Sequence, residues 1–88
     1  MNKKIKTDAV DRLFGAILCL ENKEECYCFF EDLCTIVEMK AMAQRAAVAK
    51  LLSEKTVYNS IVEKTGASTA TISRVNRALN YGAGGYKA

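Results

Sequence analysis

The residues best suited to chemistry in this sequence lie between Ser68 and Arg77, in the stretch STATISRVNR. Four small hydroxyl side chains and one alanine surround two arginines, and apolar residues recur among them at helical spacing. Hydroxyl groups hydrogen-bond to base edges and phosphates, methyl groups contact thymine methyls, and arginines pair with phosphates. These residue types predict contact with a nucleic acid rather than covalent catalysis.

The predicted contact surface has residues that face bases and residues that hold phosphates. Small side chains at the start of a helix allow it to approach bases closely, so the residues from Ser68 to Ser73 are expected to face the groove. Basic side chains and the free backbone amides near Ser68 are expected to bind phosphates. The candidates are Tyr58, Asn59, Lys64, Ser68, Thr69, Ala70, Thr71, Ser73, Arg74 and Arg77.

The charge distribution supports this placement more than the net charge does. The whole chain has a formal charge of only +3 at pH 7. No acidic residue follows Glu63, however, and the last 25 residues contain four basic ones: Lys64, Arg74, Arg77 and Lys87. The positive end of the chain is therefore the end that carries the candidate contacts, as phosphate binding requires.

A different interpretation is that the hydroxyls form the polar start of an ordinary surface helix and that the arginines are solvated. The protein would then be a helical interaction module that keeps the scaffold but binds another protein. The two hypotheses differ in salt dependence, because a DNA-binding protein loses affinity steeply as salt rises. The absence of acidic residues after Glu63 and the apolar residues at helical spacing favour the DNA-binding hypothesis.

The elements that position these residues are predicted to be helices. The sequence has no proline and 8% aromatic residues, while Ala, Leu, Lys and Glu are frequent, which favours an all-α fold. Thr7 or Asp8 can cap a first helix that continues to about Asn22. A second helix is predicted from about Glu24 to Leu33 by its apolar spacing.

The third helix is predicted to be central. Thr35 and Glu38 form a capping box, so this helix begins at Ile36 and continues to Ser53. Of its 18 residues, 12 are Ala, Val, Ile, Leu or Met, which puts apolar side chains on more than one face. We expect one face to pack within the chain and the other to pack against a second copy in a homodimer.

A helix-turn-helix is predicted after the central helix. Thr56 is expected to cap a fourth helix over Val57–Lys64, and Gly66 to end it in the left-handed conformation. Ser68 then caps a fifth helix over Thr69–Asn80. In such a pair the second helix lies in the major groove and the first crosses the DNA backbone. The predicted inward positions are Ile61 on the fourth helix, with Tyr58 and Val62 as further candidates there, and Ile72, Val75 and Leu79 on the fifth.

The 88 residues are expected to form a single domain. Residues 1–55 are assigned to dimerisation, 56–80 to the helix-turn-helix and 81–88 to a flexible glycine-rich tail. The charged start of the chain lacks the apolar run of a signal peptide or a membrane span, so we predict a cytoplasmic protein without a membrane partner.

Catalysis and metal binding are not predicted. There is no histidine and no glycine loop that could cradle a phosphate, and the glutamates at 24, 25 and 31 resemble a solvated face. Cysteines in a reducing compartment usually behave as small core residues, and a single Cys-x-Cys pair is a weak metal signal. We expect no cofactor, no metal and four buried thiols: Cys19, Cys26, Cys28 and Cys34.

Two stretches are similar to the YerC/YecD group of Trp-repressor-like proteins: CTIVEMKAMAQR, residues 34–45, and TGASTATISRVNRALNYGAGGY, residues 65–86. The resemblance covers about residues 33–86, and the second stretch is the more specific. It implies a Trp-repressor-like helical bundle that forms an intertwined homodimer with two DNA-reading heads one helical turn of DNA apart. It also implies a sequence-specific transcriptional regulator, a repressor that occupies operator DNA.

The resemblance also implies a possible effector pocket. In the Trp repressor the indole lies between two arginines, and Arg45 and Arg74 match them, while Thr35 matches another pocket residue. Val75 stands where the family has a glycine, and Ala78 where it has a serine. Valine would intrude on the ring, and alanine would leave the ligand's amino group unpaired. We therefore predict that tryptophan is not the corepressor; without an indole, Arg45 is equally well a solvated helix residue.

Overall fold

The chain folds into helices, as shown by the computed structural model, which describes residues 3–87. Within this range the structure has no strand, and the all-α prediction is confirmed. None of these helices combines the length and the hydropathy needed to cross a bilayer. The elements are α1 (Asp8–Leu18), α2 (Lys23–Leu33), α3 (Ile36–Ser53), α4 (Tyr58–Thr65), α5 (Thr69–Tyr81) and a 3₁₀ helix (Gly85–Lys87).

The chain divides into two compact units, with the boundary between Met39 and Lys40. In the first unit, side-chain caps begin α1 and α2: the Thr7 hydroxyl accepts from the Val10 amide at 3.2 Å, and Asn22 accepts from the Glu25 amide at 2.9 Å. Helix α1 ends at Leu18, earlier than predicted, because the next two amides bond three residues back and tighten the last turn.

The predicted capping box at the start of α3 is confirmed. The Glu38 amide donates to the Thr35 hydroxyl at 3.1 Å, and the Thr35 amide donates to the Glu38 carboxylate at 2.8 Å. The bond from the Thr35 backbone, followed by the one from its side chain, lowers the pKa of Glu38 below its ordinary value of 4.5. The carboxylate therefore stabilises the fold above pH 4.5, and this contribution is lost as pH falls through the lowered pKa.

Replacing Glu38 with alanine is expected to lower the melting temperature at pH 7 by a few degrees, because the Thr35 amide loses its acceptor. The difference between wild type and Glu38→Ala should shrink between pH 5 and pH 3, where the wild-type carboxylate becomes protonated. Thermal melts at these pH values measure both effects. Glu31→Ala removes an exposed carboxylate outside the box and controls for net charge. A difference that stays constant down to pH 3 would contradict the pKa shift.

No residue of the first unit is buried within the described range, residues 3–39. Several of its large apolar side chains are exposed and the others are only half-buried; Leu18 is 86% exposed. The prediction of four buried thiols is wrong for the single chain: three cysteines are exposed and Cys34 is half-buried, because the elements that carry them enclose no core. Among residues 3–87, no three His, Cys, Asp or Glu side chains are grouped so that they could hold a metal ion.

The second unit contains the core of the described chain. Ile61 from α4 and Ile72 from α5 are completely buried, and both pack with Val48 from α3. The predicted inward positions Ile61, Ile72 and Val75 are thus confirmed, while Val62 and Leu79 are only half-buried at the edge of the core. The inward prediction for Tyr58 is wrong, because its side chain in the first turn of α4 is exposed. The full cluster of buried residues is Val48, Ala49, Ile61, Ala67, Ile72 and Val75.

The connection between α3 and α4 differs from the prediction. Lys55 adopts a left-handed conformation with φ 62°, its amide donates to the Leu52 carbonyl, and the Thr56 amide donates to the Leu51 carbonyl at 3.0 Å. This pair of bonds is the Schellman arrangement that terminates a helix. Thr56 therefore closes α3 instead of capping α4, whose N-cap is Val57 without a side-chain bond.

Helix α5 continues to Tyr81, one residue beyond its predicted end, and Gly82 is its C-cap. A Cβ atom at this position would collide with the Ala78 carbonyl, so glycine is required where the chain leaves the helix. The tail predicted to be flexible then forms a short 3₁₀ helix, Gly85–Lys87, that contacts α5. Ala88 lies outside the described residues.

Candidate nucleic-acid interface

The turn between α4 and α5 consists of Gly66, Ala67 and Ser68. Gly66 has φ 71°, as predicted, and its amide donates to the Val62 carbonyl at 2.8 Å. A left-handed residue at this point lets the chain reverse without the steric cost that a Cβ would add. The Ala67 methyl group enters the core, where the residue is 2% exposed. The turn is therefore fixed by both backbone bonding and packing.

Ser68 begins α5 by capping it. Its hydroxyl accepts from the Thr71 amide at 3.1 Å and donates to the Thr71 hydroxyl at 3.1 Å. Thr71 is half-buried, so of the candidate groove residues these two already have a structural role. The amides of Thr69 and Ala70 lie ahead of the first complete turn, where helices bind anions.

One face of α5 is exposed and contains most of the candidate contacts. Thr69, Ala70, Ser73, Arg74 and Arg77 are all exposed. The helical period of 3.6 residues brings them to one side of the helix, opposite the buried stripe. No salt bridge holds either arginine within residues 3–87, so both guanidinium groups remain available for phosphates.

The candidates on α4 lie at its two ends. Tyr58 and Asn59 are exposed in the first turn, and Lys64 is exposed in the last. A helix of eight residues is about 12 Å long. The side chains at the two ends of α4 would therefore contact different phosphates.

Charge is segregated between the two units. Residues 1–39 contain eight acidic and five basic residues, whereas residues 40–88 contain two acidic and eight basic residues. The unit with the helix-turn-helix is therefore strongly positive although the chain as a whole is only weakly so. A polyanion would be attracted to this unit and repelled by the other.

The candidate effector residues are all exposed: Thr35 in the first unit, and Arg45 and Arg74 in the second. The Thr35 hydroxyl is engaged in the capping box. Val75, the residue expected to exclude an indole, is 2% exposed and belongs to the core cluster. Its side chain thus takes part in packing, as its helical spacing predicted.

Two further residues shape this region without having been predicted. The Gln44 side chain of α3 donates to the Thr65 carbonyl at the end of α4, and the Thr65 hydroxyl accepts from the Ala67 amide. The position of Thr65 directly before the turn glycine is the sequence signal that could have identified this residue. Nothing in the sequence indicates the partner of Gln44, because the bond spans 21 positions.

Comparisons with known proteins agree with this architecture. The family model of the Trp repressor protein matches residues 8–88. The uncharacterized protein YerC of Bacillus subtilis is 54% identical over 84 residues, which cover 96% of this chain and 81% of YerC.

Two crystal structures resemble the whole fold. A TrpR-like protein from Eubacterium eligens has a TM-score of 0.94 and 60% identity, covering 98% of this chain and 89% of that one. A Trp repressor candidate from Staphylococcus aureus has a TM-score of 0.92 and 50% identity, covering 97% of this chain and 85% of that one. Together with the family model, these similarities show that the chain belongs to the Trp repressor family.

Proposed function

We propose that this protein is a cytoplasmic, homodimeric transcriptional regulator that binds specific double-stranded DNA and acts as a repressor by occupying its operator. The observation that carries the proposal is the exposed face of α5, where small hydroxyl residues precede Arg74 and Arg77 at the acid-free end of the chain. The family, which includes proteins described as Trp repressors, supports the same class of function.

Base reading is assigned to the first two turns of α5. Thr69, Ala70 and Ser73 are short enough for the helix axis to approach the floor of the major groove. Arg74 and Arg77 follow on the same face and would reach phosphates on the groove walls. Helix α4 would cross the backbone, with Lys64 near a phosphate. Phosphate contacts set the register of the protein on DNA, while the base contacts select the sequence.

The homodimer is supported by what the first unit leaves uncovered. Helices α1 and α2 have 11 residues each and no buried side chain, and helices this short are only marginally stable without packing. Val37 is 77% exposed, yet it precedes the buried Val48 by three helical turns on the same side of α3. These two residues mark the α3 stripe; a second copy would cover its exposed end at Val37 and set two reading helices about 34 Å apart.

Tryptophan is not expected to control this protein. Adding about 1 mM L-tryptophan should change neither the melting temperature nor the DNA affinity, because Val75 already fills space within the core. A ligand present at about 100 times its dissociation constant would raise the stability by about 2.7 kcal/mol, which a thermal melt detects easily. A clear rise in melting temperature with tryptophan would contradict the expectation.

Selection of bound fragments from random duplex DNA tests the proposal. We expect enrichment of a site with two related halves about one helical turn apart. The affinity for that site should fall steeply with salt, with a logarithmic slope proportional to the number of phosphates neutralised. An interaction module that binds another protein would enrich no site and show no such slope.

A further inference from the structure

Helix α3 is connected to the helix-turn-helix by a side-chain hydrogen bond as well as by apolar packing. The Gln44 amide nitrogen, Nε2, donates to the Thr65 carbonyl at 3.1 Å, and the bond is partly buried. Gln44 lies one helical turn before Val48, on the side of α3 that faces the core. The last carbonyls of a helix have no partner inside it, so α3 supplies one of the bonds that α4 lacks.

Thr65 extends this bond into the turn. Its hydroxyl donates to the Ile61 carbonyl at 2.7 Å and accepts from the Ala67 amide at 3.1 Å. Ala67 is almost completely buried, and a buried amide without an acceptor is costly. Thr65 therefore forms hydrogen bonds with α4 and the turn through its hydroxyl, and with α3 through its carbonyl.

We infer that Gln44 and Thr65 are positioning residues that fix the direction in which α5 leaves the turn and is presented to DNA. The inference rests on the proposed function. Neither residue is placed in contact with DNA: both act through the turn, whose last residue, Ser68, caps α5.

The polar bonds supply an orientation that the core cannot supply alone. Aliphatic contacts are not directional, and a core of small aliphatic side chains tolerates small rotations of one helix against another. Hydrogen bonds weaken steeply when their angle is poor, so the bonds at the Thr65 carbonyl and hydroxyl resist such rotations. Since α5 begins four residues later, a shift at Thr65 moves the whole reading face.

Four variants test these roles in the full-length protein. Gln44→Met keeps the length of the side chain without the donor, and Thr65→Val keeps the shape without the hydroxyl. Thr65→Ser restores the hydroxyl and should behave as wild type. Ser53→Ala is the matched control, because the Ser53 hydroxyl also donates to a carbonyl, that of Lys50, but this bond stays within the end of α3.

Amide hydrogen exchange in the free protein provides a measurement that does not depend on DNA. The Ala67 amide should exchange roughly 3- to 10-fold faster in Thr65→Val, where it loses its acceptor, and as slowly as wild type in Thr65→Ser and Ser53→Ala. Unchanged exchange of the Ala67 amide in Thr65→Val would overturn the role of Thr65 in the turn.

Binding to the selected site and to random duplexes is then compared at a temperature where circular dichroism shows every variant to be folded. For Gln44→Met and Thr65→Val we expect the ratio of the two affinities to fall roughly 3- to 10-fold, with random-duplex affinity and salt slope unchanged. A role in stability alone would lower the melting temperature and leave this ratio intact, which would overturn the inference. Failure of the wild-type protein to prefer any site would instead refute the proposed function, and that result is obtained before any variant is made.

Discussion

Replacing Ala70 with glutamate is expected to weaken binding to the selected DNA site by roughly 100-fold or more. Ala70 is exposed at the second position of α5, where we place the closest approach to the bases. The new carboxylate would meet base edges and phosphates in both halves of the proposed dimer, and each lost base contact costs about 1–3 kcal/mol. Fluorescence anisotropy with the selected duplex measures the loss.

Folding and DNA binding should respond to this change in opposite directions. A carboxylate in the first turn of a helix stabilises it by about 0.3–1 kcal/mol through the helix dipole, so Ala70→Glu should melt no lower than wild type. Ala9→Glu places the same change at the second position of α1, which is also exposed, and should bind DNA nearly as wild type does. Full affinity in Ala70→Glu would remove this end of α5 from the groove.

Replacing Val37 with aspartate is expected to convert the proposed dimer into a largely unfolded monomer. Val37 lies on the part of the α3 stripe that the single chain leaves uncovered. Burying an unpaired carboxylate there costs several kcal/mol in each copy, more than a small domain can lose. Because the first unit encloses no core of its own, its helices should unfold when the dimer dissociates. Sedimentation velocity and circular dichroism report the two effects.

Val57→Asp is the matched control for this experiment. Val57 is also exposed, at 66%, but it is the N-cap of α4, a position that aspartate favours. This variant should remain a dimer with wild-type helicity. A dimeric, fully helical Val37→Asp protein would show that the exposed stripe of α3 is not the contact between the two copies.

Local rules predicted most of the fold. The capping box at Thr35, the left-handed Gly66 and the cap at Ser68 are each encoded within four residues, and the structure has all three. The buried stripe of Ile72 and Val75 follows from helical spacing alone. The sequence therefore defined the helix-turn-helix and its inward face before any tertiary contact was known.

Features that depend on tertiary contacts were not predictable in the same way. Thr56 has the right residue type for a cap, but the Schellman bonds at the end of α3 determine its role. The bond between Gln44 and Thr65 joins distant positions and leaves no periodic signal. The cysteines lie in apolar helical patterns, yet Cys26 and Cys28 are exposed because the first unit has no core within the single chain.

Titration of ¹⁵N-labelled protein with a duplex that contains the selected site locates the surface that meets DNA. We expect the largest chemical-shift changes on the amides from Ser68 to Arg77, with smaller ones at Tyr58, Asn59 and Lys64. Changes confined to the acidic helices α1 and α2, or no change at all at low salt, would show that α5 is not the DNA-binding helix.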